Sequence, residues 1–199
     1  MDQPLNTTQD TLAYTLWPAR EKRAVLRNAV LVVGGTLAIW LSAKIQIPFH
    51  PVPLTMQTFV ILALGMAYGY RLATATLLLY LAEGLVGLPV FAGTPEKGIG
   101  LAYMAGTTGG YLIGFLLAAA TCGWLADRGW GKNVVTTAAA MLIGNVIIYI
   151  PGLLWLAAVV GLDKPIFEWG LTPFLLGDLT KLILAAAILP ALWRFVRKT

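Results

Sequence analysis

The chain reads as six long apolar runs separated by short polar breaks, at about residues 28–46, 54–70, 72–90, 108–126, 134–160 and 172–194. Each run approaches or exceeds the roughly 20 apolar residues that a helix needs to cross a bilayer core about 30 Å thick. Helices suit such runs because they satisfy their own backbone N–H and C=O groups where no water is available. The alternating ten-residue segments of a membrane barrel are absent from the sequence. The pattern predicts an all-α integral membrane protein: a single six-helix domain over 28–199, after a polar cytoplasmic tail over 1–27 with a short interfacial helix near Trp17. The fifth run is longer than a span requires and holds Pro151-Gly152, so a kink or early helix end is expected there.

Composition narrows the class. The chain is 58% hydrophobic and 12% charged, with a mean hydropathy of +0.77, whereas soluble domains carry about 25% charged residues. This argues against a cytosolic enzyme, a nucleic-acid binder or a disordered linker. The net charge of +5 instead reports topology. One side of a six-helix arrangement receives Arg20, Lys22, Arg23, Arg27, Arg71, Arg128, Lys132, Arg194, Arg197 and Lys198. The other receives Lys44, Lys97 and Lys164. By the positive-inside rule both termini face the cytoplasm. Segments 47–53, 91–107 and 161–171 then face outward. The first is a proline-set turn. The second is the longest connection and rich in glycine, so it is the natural lid of an outward-facing pocket.

Catalytic signatures are missing: there is no G-x-x-x-x-G-K-[ST] loop, no G-x-S-x-G elbow and no H-E-x-x-H pair. One cysteine, Cys122, and one histidine, His50, form no disulfide and no zinc-ligand cluster. No enzyme activity and no cofactor are expected. The informative residues are the polar ones inside apolar runs, where charge is costly and tends to be functional. These are Glu83, Asn145, Asp178 and Lys181.

Asp178 and Lys181 are i,i+3 and share a helix face. They form either an internal ion pair holding the bundle or the acceptor and donor of a ligand pocket. Glu83 faces a vestibule or caps its span, and Lys44 is expected to snorkel to the outer interface. Asn145 and Tyr149, at i,i+4, are interhelical glue or ligand contacts. Tyr80, Phe91 and Tyr111 are pocket walls or core. Small residues recur every four positions at Gly34, Ala38 and Ser42, at Gly65 and Gly69, and at Gly110, Gly114 and Ala118. Such stripes pack the chain's own helices or dock a partner helix.

Several segments taken together carry a resemblance. They are Pro51-Val52-Pro53-Leu54-Thr55-Met56-Gln57, Gly87-Leu88-Pro89-Val90-Phe91-Ala92-Gly93, Thr108-Gly109-Gly110-Tyr111-Leu112-Ile113-Gly114-Phe115 and Gly177-Asp178-Leu179-Thr180-Lys181. With Asn145, Tyr149 and Trp155-Leu156, and in this order from about 28 to 195, the chain resembles the BioY family. These are the biotin-specific substrate-binding (S) components of energy-coupling factor transporters. The resemblance implies a six-helix protein of the cell membrane that binds biotin from outside, powered by a transmembrane coupling subunit and two cytoplasmic ATPases. It implies that Asp178 and Lys181 belong to the pocket, with Gln57 in its motif and the loop around Phe91, Gly93 and Gly109, Gly110 and Tyr111 closing over it. It also implies that Gly34, Ala38 and Ser42 are the docking stripe for the coupling subunit.

Two departures stand out. Thr107 replaces the proline of the family's usual G-P-T-G-G-Y, and Thr94-Pro95-Glu96-Lys97-Gly98 stands where glycine and serine are common. An S component for another vitamin, or a self-sufficient ion-coupled carrier using Glu83 and Asp178, remain as alternatives.

Overall fold

The computed structural model describes residues 11–19 and 21–196. The first ten residues of the expected tail, together with the topology-bearing Arg20, Arg197 and Lys198 and the side chain of Lys22, lie outside the described residues. In chain order the elements are α1 (Leu12–Leu16), α2 (Glu21–Lys44), β1 (Gln46–Ile47), β2 (Leu54–Thr55), α3 (Gln57–Leu85) and α4 (Gly100–Met104). Then follow α5 (Gly109–Asp127), α6 (Val134–Val160), α7 (Ile166–Gly170) and α8 (Thr172–Val196). Five helices among the described residues are long and apolar enough to cross a membrane: Arg23–Lys44, Gln57–Leu85, Gly109–Asp127, Val134–Val160 and Ile166–Val196.

The second and third apolar runs are joined in α3, but α3 is not straight. Gly69 adopts φ 78° and ψ 173° inside it. The Gln57 amide also donates to the Tyr80 hydroxyl at 2.8 Å. Along an unbroken helix those residues would stand about 35 Å apart. The chain therefore reverses at Gly69, and residues 57–68 and 70–85 lie side by side. The break falls just before Arg71, where the polar interruption of the sequence placed a turn.

Three other expectations shift. The first long helix starts at Glu21, seven residues inside the expected tail. The third run leaves the helix after Leu85. Of the kink or early end expected at Pro151-Gly152, the early end does not occur: α6 continues to Val160 and stops at Gly161, with Pro151 inside it. Close packing on α5 accounts for this, since a Cβ at Gly110 would collide with the Pro151 carbonyl and Gly152 lies against the Tyr111 ring. Asn133 starts α6, its side chain accepting from the Val135 N–H at 2.7 Å.

The core is centred on α5, which packs on α3 and α6, while α2 packs on α3. Gly65 meets Cys122 and Ala119, and Gly114 meets Ile148, so those stripes serve the chain's own packing. Outside the helices, β1 and β2 pair antiparallel with Gln46 opposite Thr55 and Ile47 opposite Leu54. This ribbon closes the proline turn and fixes Thr55 at the mouth of the bundle.

Candidate functional site

One pocket opens where the first arm of α3, α5, α6 and α8 meet the two glycine- and proline-rich connections. It encloses about 520 Å³ of empty space, its open mouth included. Val52, Pro53, Ala92 and Tyr103 form one side, and Leu112, Phe115, Ile148 and Phe174 supply an apolar wall. Gln57, Thr58, Tyr111, Tyr149 and Lys181 bring polar atoms to it.

The polar end is a compact network. Asp178 and Lys181 are 5% and 8% exposed, which is tolerable only because both are fully engaged. The Lys181 ammonium donates to the Thr55 carbonyl at 2.8 Å, to Thr58 Oγ1 at 2.8 Å and to Asp178 Oδ1 at 3.0 Å. Those three bonds use its three protons. Thr58 in turn donates to Asp178 Oδ1 at 3.1 Å, and the Tyr149 hydroxyl donates to Asp178 Oδ2. Thus α8 contributes the charges, the first arm of α3 a bridging hydroxyl and α6 a phenol. Lys181 lines the pocket, whereas Asp178 stands behind it, on the side of a groove between α6 and α8.

Above this network the segment from Val90 to Thr94 has no regular secondary structure, and side chains hold its carbonyls. Tyr80 donates to Val90 at 3.0 Å and Tyr103 to Ala92 at 2.8 Å. Lys44 donates to the carbonyls of Phe91 and Thr94 at 3.2 and 3.0 Å. Lys44 therefore does not simply snorkel: bound carbonyls lie within reach of its ammonium, so it ties α2 to the loop. Burial raises the Tyr103 pKa above the ordinary phenol value, opposed by a hydrogen bond with Thr108, and keeps its proton for Ala92. Thr107 donates to the Pro51 carbonyl at 3.1 Å, so the residue that replaces the expected proline joins the two glycine- and proline-rich connections.

The structure brings Asp178, Lys181, Tyr149, Gln57 and Tyr111 to the pocket or directly behind it. Tyr80 is one step back, reached through Gln57. Phe91 is buried between Tyr80 and Tyr103, with its ring stacked on Tyr103 at 4.9 Å. Gly93 turns the loop at φ 70°. Gly109 and Gly110 have no room for a Cβ against Met104 and Pro151, and so set packing rather than pocket wall. Asn145 donates to the Met141 carbonyl of its own helix at 3.1 Å and faces the α6–α8 groove. Glu83, half-buried near the end of α3, is not among the pocket's lining residues. On α2, Gly34 is open, Ala38 half-buried and Ser42 buried with its hydroxyl on the Ile39 carbonyl. The three thus do not share one open face, because a four-residue step drifts around the helix.

Sequence reasoning missed Thr58, the apolar wall of Phe115 and Phe174, and Tyr103. Thr58 bonds to residues 120 and 123 positions away, which no local spacing reveals.

A profile described as the BioY family matches residues 12–198. The chain belongs to the BioY family. Among its relatives is a probable biotin transporter BioY of Rickettsia prowazekii, 31% identical over 171 residues, covering 86% of each chain. A second, from Pyrococcus horikoshii, is 37% identical over 147 residues, covering 74% of this chain and 84% of the relative. The biotin transporter BioY of Thermotoga maritima is 36% identical over 166 residues, covering 83% and 90%. A solved structure described as the S-component for biotin from an ECF-type ABC transporter superposes with a TM-score of 0.73 at 25% identity, covering 88% of this chain and 95% of that one. With its apolar helices, this membership makes the chain a multi-pass membrane transport protein.

Proposed function

We propose that this chain binds biotin as the S component of an energy-coupling factor transporter. It crosses the membrane six times, the two arms of α3 counting separately, with both termini in the cytoplasm and the pocket open to the outside. The observation that carries the ligand assignment is the Lys181–Asp178–Thr58–Tyr149 network beside the apolar wall of Leu112, Phe115, Ile148 and Phe174. Biotin has the complementary layout: two ureido N–H donors and a carbonyl at one end of an apolar bicycle, and a carboxylate tail at the other.

Binding exchanges hydrogen bonds rather than adding them. Lys181 gives up or shares one of its three partners to meet the ureido carbonyl. A ureido N–H replaces the Tyr149 hydroxyl on Asp178 or meets that hydroxyl's oxygen. Exchange of equals yields little net free energy, so burial of the bicycle against Phe115, Phe174 and Tyr111 supplies most of the affinity, at about 25 cal/mol per Å² of apolar surface. The polar network supplies selectivity, since a ligand unable to replace those bonds leaves buried groups unpaired. The carboxylate tail points toward the outer segments near Thr108.

The chain carries no ATP-binding loop, so the work of transport comes from a transmembrane coupling subunit and two ATPase subunits. Titration calorimetry of the purified chain with biotin, and separately with other vitamins, tests the reading. Binding of another vitamin and not biotin would overturn the ligand. Uptake by energised vesicles that lack the ATPase subunits would overturn the coupling scheme in favour of an ion-driven carrier.

A further inference from the structure

We infer that Lys44 is a positioning residue for the pocket: from the end of α2 it holds the 91–94 segment, and through it Ala92, in place against the ligand. The inference rests on the biotin reading for its ligand but on separate geometry for its mechanism.

Ala92 lines the pocket, yet its backbone belongs to no helix or strand. Besides the local turn bonds from Thr94 N–H to Phe91 O at 3.4 Å and from Lys97 N–H to Gly93 O at 2.9 Å, bonds from other elements hold it. The Lys44 ammonium donates to Phe91 O at 3.2 Å, Thr94 O at 3.0 Å and Thr94 Oγ1 at 3.2 Å, so its three protons clamp both sides of Ala92 and Gly93. Thr94 Oγ1 also donates to Phe91 O at 2.7 Å, closing the turn beneath the clamp. Tyr103 anchors Ala92 O itself, but from α4, a helix of five residues. Tyr80 of α3 holds the segment at Val90 and Phe91, ahead of the turn, and Lys44 is the charged anchor that a long helix brings to the turn itself. A charged donor to a carbonyl is about twice as strong as a neutral one. Glycine at 93 gives the turn its positive φ.

The consequence is kinetic. A ligand beneath Ala92 leaves when the turn lifts, and lifting it breaks the Lys44 bonds. Removing them speeds release more than it weakens the fold, because the rest of α2 stays packed on α3, with Gly35 against Thr76 and Tyr68 and with Ile39 and Ala43 buried.

The experiment compares Lys44→Met, which keeps reach and loses every donor, with Lys44→Arg and Thr94→Val. Biotin dissociation from the purified protein is expected to accelerate about tenfold in Lys44→Met, the scale of one charged hydrogen bond. Lys44→Arg should restore most of the effect, and Thr94→Val should add little in the Lys44→Met background, because both act on one network. A cation in the last turn also favours the helix dipole, but loss of that effect lowers thermal stability without this non-additivity. A ligand-free readout keeps the test independent of biotin: an Ala92→Cys thiol, in a Cys122→Ser background, should react several-fold faster with a thiol reagent when Lys44 is Met. Unchanged dissociation together with unchanged thiol reactivity would overturn the inference. Absence of biotin binding by the wild-type chain with faster thiol reactivity in Lys44→Met would overturn the ligand reading alone.

Discussion

The backbone N–H of Tyr70 donates to the Asp127 carboxylate across 3.1 Å, so the last residue of α5 caps the start of the returning arm of α3. The capped N–H is one of those a helix start leaves unpaired. The residue before it, Gly69, takes a backbone conformation essentially restricted to glycine. The reversal and its cap thus form one unit: the glycine turns the chain and the neighbouring helix receives the freed donor. Gly123, one turn earlier on α5, allows this approach, because a Cβ there would stand 2.6 Å from Tyr70 N.

Gly69→Ala is accordingly expected to destabilise the fold. Strain of this kind costs about 1–3 kcal/mol, and the added methyl would also meet the Asp127 carboxylate and Thr11. Asp127→Ala should cost less, about 0.5–2 kcal/mol for a lost cap. Thermal unfolding in detergent reads both, and a Gly69→Ala midpoint equal to wild type would contradict the turn's dependence on glycine.

In the pocket, Asp178→Asn leaves Lys181 buried without its countercharge. The expected loss in biotin binding is about 2–5 kcal/mol, or roughly 30- to several-thousand-fold in Kd. Thr58→Val keeps the shape of the side chain and deletes the bridge between the two charges, so affinity should fall by about 1–3 kcal/mol. Glu83→Gln should change little. Calorimetry on folded protein orders the three, and near-wild-type affinity for Asp178→Asn would remove that residue from the ligand's network.

What the sequence disclosed about this site follows from distance along the chain. Asp178 and Lys181 were legible because two opposite charges three residues apart in an apolar helix must share a face and find partners. The turn near Arg71 was legible too, because a charge between two apolar runs marks a break, and α3 turns at Gly69. Thr58 was not, because a hydroxyl carries no cost in an apolar run that marks it out, and its partners arrive from α8. Asn145 carried the same signal as Asp178 but satisfies itself on its own helix, an outcome that polarity alone does not distinguish. Lys44 was visible as a charge at a helix end, while the carbonyls it meets lie 47 and 50 residues on.

Topology rests on charge asymmetry and is open to direct labelling. Single cysteines at Lys97 and Lys132, in a chain lacking Cys122, should differ on intact cells treated with an impermeant thiol reagent: labelling at 97 and protection at 132. The reverse pattern would invert the proposed orientation and put the pocket on the cytoplasmic side.

The two adjacent glycines of α2 separate packing from docking. A Cβ on Gly35 would stand 2.6 Å from Thr76 Cγ2 and 3.3 Å from the Tyr68 ring, whereas a Cβ on Gly34 meets nothing within 4 Å. Gly34 lies beside exposed Val30, Val33, Leu37 and Leu41, a face that α3 leaves uncovered. A glycine among larger apolar residues lets a second helix come close, with dispersion and weak hydrogen bonds as the attraction in lipid. If the coupling subunit uses that face, Gly34→Trp should abolish copurification with it and ATP-dependent uptake while biotin binding by the isolated chain persists. Gly35→Val should act in the opposite way, lowering the thermal midpoint by disturbing the α2–α3 contact and weakening binding with it. Ala38→Trp, on a half-buried position, should show part of each. A Gly34→Trp chain that assembles and transports like wild type would move the docking surface off this face of α2.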